Sequence, residues 1–368
     1  MSSSFGTALR VSVFGQSHSQ AIGCVVEGLP SGFHVDQDAL ARFMSRRAPG
    51  QGSWSTPRKE ADAVEIVSGL NPEGATCGAP LACVIANTNT RSSDYDELKR
   101  VPRPGHADFA AQAKWHGAQD VAGGGHFSGR LTAPLCAAGG IALQVLASRS
   151  VRIAAHLDEV AGVQDLHFSA RKGDGPALRA QMDILAARPF PTICTDAEEK
   201  MLSAIDEARQ EQDSVGGIIE CVAVGLPAGI GSPLFDGIES TIARIAFGVP
   251  AVKGIEFGAG FEAARLRGSE NNDPYGIDEA GNVVPLKNDA GGNLGGITTG
   301  APVVFRMAIK PTPSIAREQQ SVDLVKGEEA TLAVRGRHDP CIAPRAVPVA
   351  EAVMALALLD CWLMSEKA

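Results

Sequence analysis

The chain has 368 residues, of which 44 % are apolar and 20 % charged, so it can bury a substantial core in one large domain or two smaller ones. Its formal net charge of −9 argues against a general nucleic-acid binder, because such proteins carry an excess of lysine and arginine. The eight cysteines are scattered without a Cys-x-x-Cys pair, which fits neither a disulfide scaffold nor a zinc site. We therefore expect reduced thiols and a cytoplasmic protein.

The first 90 residues predict strands and one helix. Asp36 is placed to cap a helix that runs to about Arg46, and a glycine-rich loop follows it. Strands are predicted at 11–14, 21–27, 61–68 and 80–86.

The middle of the chain predicts helices. The segment 131–147 is apolar on nearly every side, which indicates a buried helix, whereas 196–213 is amphipathic. Two more helices are predicted at 107–118 and 177–187. The polar, glycine-rich segment 262–296 is interpreted as a long mobile segment that becomes ordered over a ligand.

The last predicted element is a buried helix at 349–359. The apolar run 353–364 around it contains Asp360 and is too short to cross a bilayer. The N-terminal residues lack an apolar signal core. We therefore expect no membrane association.

Several stretches of sequence recur in the same order. Cys24-Val-Val-Glu-Gly-Leu-Pro-Ser-Gly32 matches Cys221-Val-Ala-Val-Gly-Leu-Pro-Ala-Gly229, and Gly78-Ala-Pro80 matches Gly300-Ala-Pro302. A chance match of turn residues is the alternative. We interpret the recurrence as a duplicated strand–helix–strand–strand unit around a pseudo-twofold axis, and the absence of a βαβ pattern disfavours a Rossmann domain. The two repeats are predicted at about 8–90 and 215–312, with a helical insert at 105–212.

The segment 103–130 combines groups that suit an anion. Arg103-Pro-Gly-His106-Ala-Asp108 presents an imidazole and a carboxylate on a stiff turn, and Gly123-Gly-Gly-His126-Phe-Ser128-Gly-Arg130 exposes backbone amides beside a hydroxyl and a guanidinium. Arg130 offers the bidentate fork that phosphate and carboxylate groups accept. The plainer alternative is an ordinary glycine loop with a structural histidine.

Other loops carry cations and histidines as well. In Gly15-Gln-Ser17-His18, neighbouring side chains on a strand would point to opposite faces, so His18 is interpreted as a general acid or phosphate ligand rather than as the base of a serine nucleophile. Each of these loops could instead be a solvated or structural feature. Nothing in the sequence demands a metal. The remaining loops are Arg46-Arg47, Lys310-Pro-Thr312-Pro-Ser314 and Arg335-Gly-Arg337-His338-Asp339-Pro-Cys341.

Taken in order, these loops resemble the chorismate synthase family over nearly the whole chain. The family pattern is matched at Gly15-x-Ser17-His18, Arg46-Arg47-x-Pro49-Gly50, the two segments of 103–130, Gly295-Gly-Ile, Lys310-Pro-Thr312 and Arg337-His-Asp-Pro-Cys341. The chain departs from it at Gln16, Ser19, His126 and Phe127, and at Ser53, where an arginine is usual. The resemblance implies an α/β (α+β-like) fold, a single-domain β-α-β sandwich over 1–368 with antiparallel sheets around a helical core.

The resemblance also implies a reaction. The family removes phosphate and a ring proton from 5-enolpyruvylshikimate 3-phosphate to give chorismate, using reduced FMN without net redox change. By similarity His18 would act as general acid on the departing phosphate, His106 would hold or protonate the flavin, and Asp339 would help to take the ring proton by way of the flavin. The substrate's anionic groups would be bound by Ser17, Arg47, Arg130 and Arg337. The flavin would lie against His126, Phe127, Ser128, Pro250, Ala251, Gly295, Lys310, Pro311, Thr312, Pro313, Ser314 and Arg337.

The expected partners follow from the same resemblance. We expect a homotetramer that binds a small anionic substrate and neither nucleic acid nor membrane. Because no NAD(P)-binding motif is recognised, an external flavin reductase is favoured over reduction by NADPH on this chain. Two rival interpretations are a flavin reductase with true redox turnover and a non-catalytic protein that binds anions or nucleotides.

Overall fold

The N-terminal strands form the first sheet. The structure, a computed structural model, describes residues 3–52, 54–56, 62–88, 97–334 and 338–366. All strand pairs of the first sheet are antiparallel, and Cys24 lies opposite Val13 on one side and Cys83 on the other. In sheet order the strands are β1 (Ser4–Phe5), β2 (Arg10–Gly15), β3 (Ala21–Glu27), β5 (Leu81–Ala86) and β4 (Glu65–Ser68).

The second sheet is also antiparallel and repeats this order of strands. The matching sequence stretches lie on or just before equivalent strands, Cys24 on β3 and Cys221 on β8. The order β2-β3-β5-β4 in the first sheet corresponds to β6-β8-β14-β9 in the second. In sheet order its strands are β7 (Val163–Gln164), β6 (Arg152–Val160), β8 (Gly217–Val224), β14 (Val303–Ile309) and β9 (Val252–Phe257).

Four helices form a layer between the sheets. Helix α3 contacts β3 and β5, α8 contacts β6 and β8, and the two helices pack on each other. Asp36 caps α1 as predicted, its Oδ1 accepting the Ala39 N–H at 2.8 Å. The mixed α/β architecture with antiparallel sheets is thereby confirmed. The helices are α1 (Gln37–Arg47), α3 (Thr132–Ala147), α6 (Ile238–Ala246) and α8 (Ala343–Ser365).

The contact of α3 with α8 depends on Gly139. A Cβ atom at this position would overlap the Cα and Cβ atoms of Ala352 on α8, so the two helices approach more closely than any larger residue allows. We expect Gly139→Ala to destabilise the protein by about 1–3 kcal/mol through overpacking, measured as the change in free energy of unfolding in urea. Gly175→Ala is the matched control, since a Cβ there meets nothing within 4 Å. Equal stability of both variants would contradict the close approach.

The remaining elements flank these layers, and Ala197, Met201 and Ile205 of one of them pack into the same core. Helix α2 (Asp108–Trp115) precedes the glycine loop, and α4 (Pro176–Ala187) covers the outer face of the second sheet. The segment predicted as mobile, 262–296, contains α7 and a hairpin. The other elements are α5 (Thr195–Gln210), α7 (Gly268–Asn271) and the hairpins β10 (Tyr275–Ile277) with β11 (Val283–Pro285), β12 (Asn293–Leu294) with β13 (Ile297–Thr298), and β15 (Gln319–Asp323) with β16 (Glu328–Leu332).

The predicted helical insert at 105–212 is wrong in one respect. It contains β6, a central strand of the second sheet, and α3, a core helix. The strand was missed because His156 and Asp158 interrupt its apolar pattern, and both are buried with hydrogen-bonding partners. The division into two repeats and an insert remains an interpretation.

Helix α8 is longer than the predicted 349–359. Its ionisable residues do not break it because each has a partner: Glu351 binds Arg46, and Asp360 accepts the backbone N–H groups of residues 7–9. By length and composition two helical stretches among the described residues could cross a membrane, Gly129–Ala147 and Ala343–Ser365, but 78 % and 89 % of their most apolar windows are buried within the protein. Both are core helices, and the expectation that the C-terminal run is too short is corrected.

A row of charged side chains crosses the face of the second sheet that points away from α8. The register places His156 opposite Glu220, Glu220 opposite Arg306, and Arg306 opposite Glu256. The ring of His156 contacts Glu220 through Nε2 at 3.0 Å and Asp165 through Nδ1 at 3.2 Å. Burial lowers the pKa of His156, but the hydrogen bonds to the two carboxylates outweigh it and raise the pKa to about 9.

This charged row makes the stability depend on pH. Because the folded-state pKa of His156 lies above the unfolded value of about 6.5, its stabilisation is fully present below pH 6.5 and is lost as the pH rises through 9. We expect the free energy of unfolding of the wild type to exceed that of His156→Gln by about 3 kcal/mol at pH 6.5 and by much less at pH 9.5. His116→Gln, at an exposed histidine, is the control, and a gap for His156→Gln that does not change with pH would refute the charged pairing.

Candidate active site

One cavity of about 870 Å³ brings together loops from both halves of the chain. Its walls come from the turn after β2, the C-terminal end of α1, the segment 103–132, the end of α6 and the start of α8. The volume lies near the upper end of the range for small-molecule sites. The residues that were predicted for the site and line this cavity are Ser17, Arg47, His106, His126, Phe127, Ser128, Arg130, Pro250, Ala251, Lys310, Thr312, Pro313, Ser314 and Asp339.

Three described residues from the prediction do not line the cavity: His18, which is considered below, Pro311 and Gly295. Pro311 lies between two lining residues, and Gly295 lies in the β12–β13 turn, whose neighbour Gly296 touches the N-terminal end of α6. The cavity is at the opposite end of α6, so nothing in this structure supports flavin contact by Gly295. Arg337 lies outside the described residues.

His18 lies just behind the cavity wall. Its ring fills the space beside Gly123, which a Cβ would occupy, and its Nδ1 is 3.3 Å from the Ser17 hydroxyl. The expectation that the two side chains point to opposite faces is wrong, because residues 17 and 18 lie in a turn after β2 and not on the strand. Ser17 lines the cavity and His18 reaches it through Ser17.

His106 is held by an ion pair that the sequence did not assign. Its Nδ1 is 2.5 Å from Asp108 Oδ1, and the buried Arg103 donates to both oxygens of that carboxylate at 2.8 and 2.9 Å. Burial raises the pKa of Asp108, but hydrogen bonds from Arg103 and His106 outweigh it and hold the pKa well below its ordinary value. Arg103 also donates to the Ser314 hydroxyl at 3.1 Å. Asp108 is therefore an anion that fixes the ring of His106.

Arg47 and Arg130 converge on one carboxylate, that of Asp62. Both donate to it through Nη1, one to each oxygen. Burial raises the pKa of Asp62, but the two guanidinium groups outweigh it and the pKa is lowered. Arg47 also donates to the Thr132 hydroxyl and to the Gly129 carbonyl, both at 3.1 Å, and Arg130 donates to Asn87 Oδ1 at 3.0 Å. Sequence reasoning missed Asp62, because nothing local marks an aspartate that pairs with residues 15 and 68 positions away.

Asp339 is fixed on both of its oxygens. Oδ1 accepts the Thr56 N–H at 2.7 Å, and Oδ2 accepts from Arg345 Nη1 at 2.5 Å. Arg345, on α8, also donates through Nε to the backbone carbonyl of Arg47 at 3.1 Å. It was also missed, although a lone arginine at the start of an apolar helix is a signal that could have been used. Arg46, grouped with Arg47 in the prediction, binds Glu351 instead.

The lining is strongly cationic. Among the described residues one carboxylate, Asp339, faces the cavity against six cationic side chains. Burial and the neighbouring Lys253 lower the pKa of Lys310. In a chain of formal net charge −9, this concentration of positive charge indicates a ligand with several negative charges. The cations are Arg47, Arg103, Arg130, Arg244, Lys310 and Arg345.

A second cluster lies outside this cavity, on the outer face of the second sheet. The ligand atoms of His156, Asp158 and Glu220 lie within 4.8 Å of one another, a spacing that could hold a metal ion. Both ring nitrogens of His156 are already engaged by carboxylates, so ion pairing explains the arrangement.

Comparison with known proteins decides the family. A sequence model of chorismate synthase matches residues 9–363. The chorismate synthase of Lancefieldella parvula is 51 % identical over 366 residues, covering 98 % of this chain and 96 % of the relative. That of Methanosarcina acetivorans is 46 % identical over 364 residues, covering 98 % and 96 %. The chain belongs to the chorismate synthase family.

The resemblance seen in the loops is thus confirmed, and with it the prediction of an enzyme of the phosphate-lyase class. A crystal structure of chorismate synthase superposes with a TM-score of 0.76 over 98 % of this chain and 93 % of that one, at 24 % identity. This structural likeness supports the fold.

The departures from the chorismate synthase pattern make contacts of their own. The Ser19 hydroxyl accepts from the Gln16 N–H at 3.0 Å and closes the turn that carries Ser17. His126 bonds to the Ser3 hydroxyl at 3.2 Å and to the Gly15 carbonyl at 3.0 Å, and the Phe127 ring lies 5.8 Å from that of Trp115. These substitutions therefore hold the cavity wall together. Ser53 lies outside the described residues.

Proposed function

We propose that the cavity catalyses the 1,4-elimination of phosphate and a ring proton from 5-enolpyruvylshikimate 3-phosphate, giving chorismate in the shikimate pathway. The observation that carries the proposal is the cationic lining of one cavity in an acidic member of the chorismate synthase family. The substrate bears a phosphate and two carboxylates, and guanidinium forks match such groups.

The anionic groups of the substrate are assigned to Arg47 and Arg130, which lie at the N-terminal end of α3. Arg47 and Arg130 are held by Thr132, the Gly129 carbonyl and Asn87, so their guanidinium groups are oriented before a ligand arrives. Ser17 lines the same cavity and is in contact with His18. In this arrangement His18 supplies a proton or hydrogen bond to the departing phosphate through the Ser17 side of the cavity. Arg337 is retained in the proposal from the family resemblance.

Three features of the cavity wall support the proposal that it binds reduced FMN. The Thr312 hydroxyl is buried and finds no hydrogen-bonding partner among the described residues, which suits an acceptor oxygen of a ligand. Lys310 donates to the Gly105 carbonyl on the same wall. Ala251 has a left-handed backbone (φ 73°) at the cavity wall, where strain of this kind is commonly functional. When bound, reduced FMN would supply the electron density that the elimination needs and that side chains lack.

Two further groups are placed to hold protons. The His106 Nδ1 faces Asp108, and its Nε2 faces Gly124, where a Cβ would come within 3.1 Å of it. The glycine therefore keeps space for the ring on the ligand side. Asp339 faces the cavity with its carboxylate fixed by Arg345 and Thr56, and it is assigned to the ring proton.

The test is anaerobic release of inorganic phosphate from enolpyruvylshikimate phosphate by the purified chain. We expect release with photoreduced FMN and none with oxidised FMN or without flavin. NADPH consumption without phosphate release would favour a flavin reductase. Binding of flavin and substrate without either reaction would favour the non-catalytic alternative.

The finer features of the proposal follow the family. We propose a cytoplasmic homotetramer that receives its reduced flavin from an external reductase and not from NADPH bound to this chain. Size-exclusion chromatography with light scattering tests the tetramer, and phosphate release with NADPH and FMN but no added reductase would contradict the external source.

A further inference from the structure

Asp62 does not itself line the cavity, but it is bound by the two lining arginines to which the proposed function assigns an anionic group of the substrate. Its carboxylate lies between Arg47 and Arg130, receives one N–H from each, and is completely buried. The pair of guanidinium groups thus already holds an anion, and that anion belongs to the protein.

The arginines do not depend on Asp62 alone for their orientation. Thr132 and the Gly129 carbonyl fix Arg47, and Asn87 fixes Arg130. Asn87 also donates to the carbonyls of Gln16 and Ser19 at 3.2 and 2.8 Å, which ties Arg130 to the turn of Ser17. The two cations would therefore stay in place if the Asp62 carboxylate left.

The backbone of Asp62 is consistent with an exchangeable position. Its φ is 47°, in the left-handed region that a non-glycine residue enters at a cost. The two ion pairs offset this cost in the ligand-free protein. If another anion binds the two guanidinium groups, the ion pairs that stabilise the left-handed conformation of Asp62 are lost.

We propose that Asp62 is a resident counter-ion, which an anionic group of the substrate replaces at Arg47 and Arg130. The proposal deepens the proposed function and rests on it. Asp62 stabilises the ligand-free cavity, because two buried cations without a carboxylate would be costly. It also competes with the substrate for the same two groups, so it lowers the affinity for anions and rejects those with too few contacts to displace it.

The proposal predicts opposite effects of one substitution on stability and on anion affinity. Asp62→Asn keeps the shape of the side chain and removes its charge. In chloride buffer its melting temperature should fall by several degrees. When inorganic phosphate replaces chloride at constant ionic strength, the variant should regain stability with a half-maximal phosphate concentration at least tenfold below that of the wild type.

Asp360→Asn is the matched control. Like Asp62, Asp360 is a buried carboxylate, but its partners are backbone N–H groups. It lies about 16 Å further along α8 than the cavity residue Val349. The Asp360→Asn variant should be less stable than the wild type but should have the same half-maximal phosphate concentration. The control separates a general response of destabilised proteins to phosphate from a response at this site.

The outcomes distinguish this proposal from the proposed function. If the melting temperatures of the wild type, Asp62→Asn and Asp360→Asn rise saturably with phosphate and share one half-maximal concentration, the anion site stands and the role of Asp62 is overturned. The absence of any saturable rise in the three proteins would remove the anion site and with it the proposed function. If Asp62→Asn does not fold, Asp62→Ser repeats the measurement. Failure of both to fold with and without phosphate would also overturn the proposal, because Asp62 would then be required by the fold.

Discussion

His106→Ala should bind FMN and substrate almost as the wild type does and lose at least 100-fold in turnover. The imidazole is the group that Asp108 and Arg103 hold in place at the cavity wall, beside the glycine loop. Proton transfer by a positioned side chain contributes about 10²–10⁴-fold to rate. Removing the ring leaves the six cations that line the cavity, so the loss should fall on kcat and not on KM. The loss of turnover is measured as the rate of phosphate release under anaerobic conditions.

Two controls make this result specific to the ring. His126→Ala removes another cavity histidine, one whose nitrogens are bonded to Ser3 and Gly15, and it should reduce turnover far less. FMN affinity, measured by fluorescence quenching, should agree within a few fold between His106→Ala and the wild type. Unchanged turnover in His106→Ala would refute the role assigned to His106.

Arg130→Ala should raise the KM for substrate by about 10- to 100-fold while the protein stays folded. A hydrogen bond between charged groups contributes about 1.5–3 kcal/mol, and the variant loses a donor to the ligand that the smaller side chain cannot replace. Asp62 keeps Arg47 as a partner, so the substitution does not leave a buried carboxylate alone. Steady-state phosphate release over a range of substrate concentrations gives KM and kcat separately.

The comparison with two further variants tests the geometry. Arg130→Lys keeps the charge and loses the fork, and we expect it to recover only part of the affinity. Arg149→Ala removes an arginine that binds Glu366 and does not line the cavity, and its KM should equal that of the wild type. A wild-type KM in Arg130→Ala would show that the substrate is bound elsewhere.

Much of the fold could be predicted because local signals agreed with the final packing. The Asp36 cap and the continuous apolar pattern of 131–147 correspond to α1 and α3 within one or two residues. Strand β6 could not be found in this way, because its buried charges are compensated by Glu220 and Asp165, which lie elsewhere in the sequence. A pattern within one segment does not contain the partner that makes burial possible.

The site shows the same limit. Motifs identified groups that face the cavity, such as His106, Arg130 and Lys310, because turns and glycines mark these positions locally. The groups that hold them are single acidic residues or amides without such marks, and Asp62 and Asn87 were therefore missed. Asp108 was read as part of a motif, but its ion pair with Arg103 became visible only in three dimensions.

Helix α8 has a consequence for how the protein is made. It packs against α1, α3, α6 and the strands β6 and β8 of the second sheet, and its Asp360 accepts the backbone N–H groups of residues 7–9. During synthesis on the ribosome the sandwich cannot close before residue 365 has left the exit tunnel. Until then the nascent chain exposes the apolar surfaces of α3, β6 and β8 that α8 covers in the folded protein, which is the kind of surface that chaperones recognise.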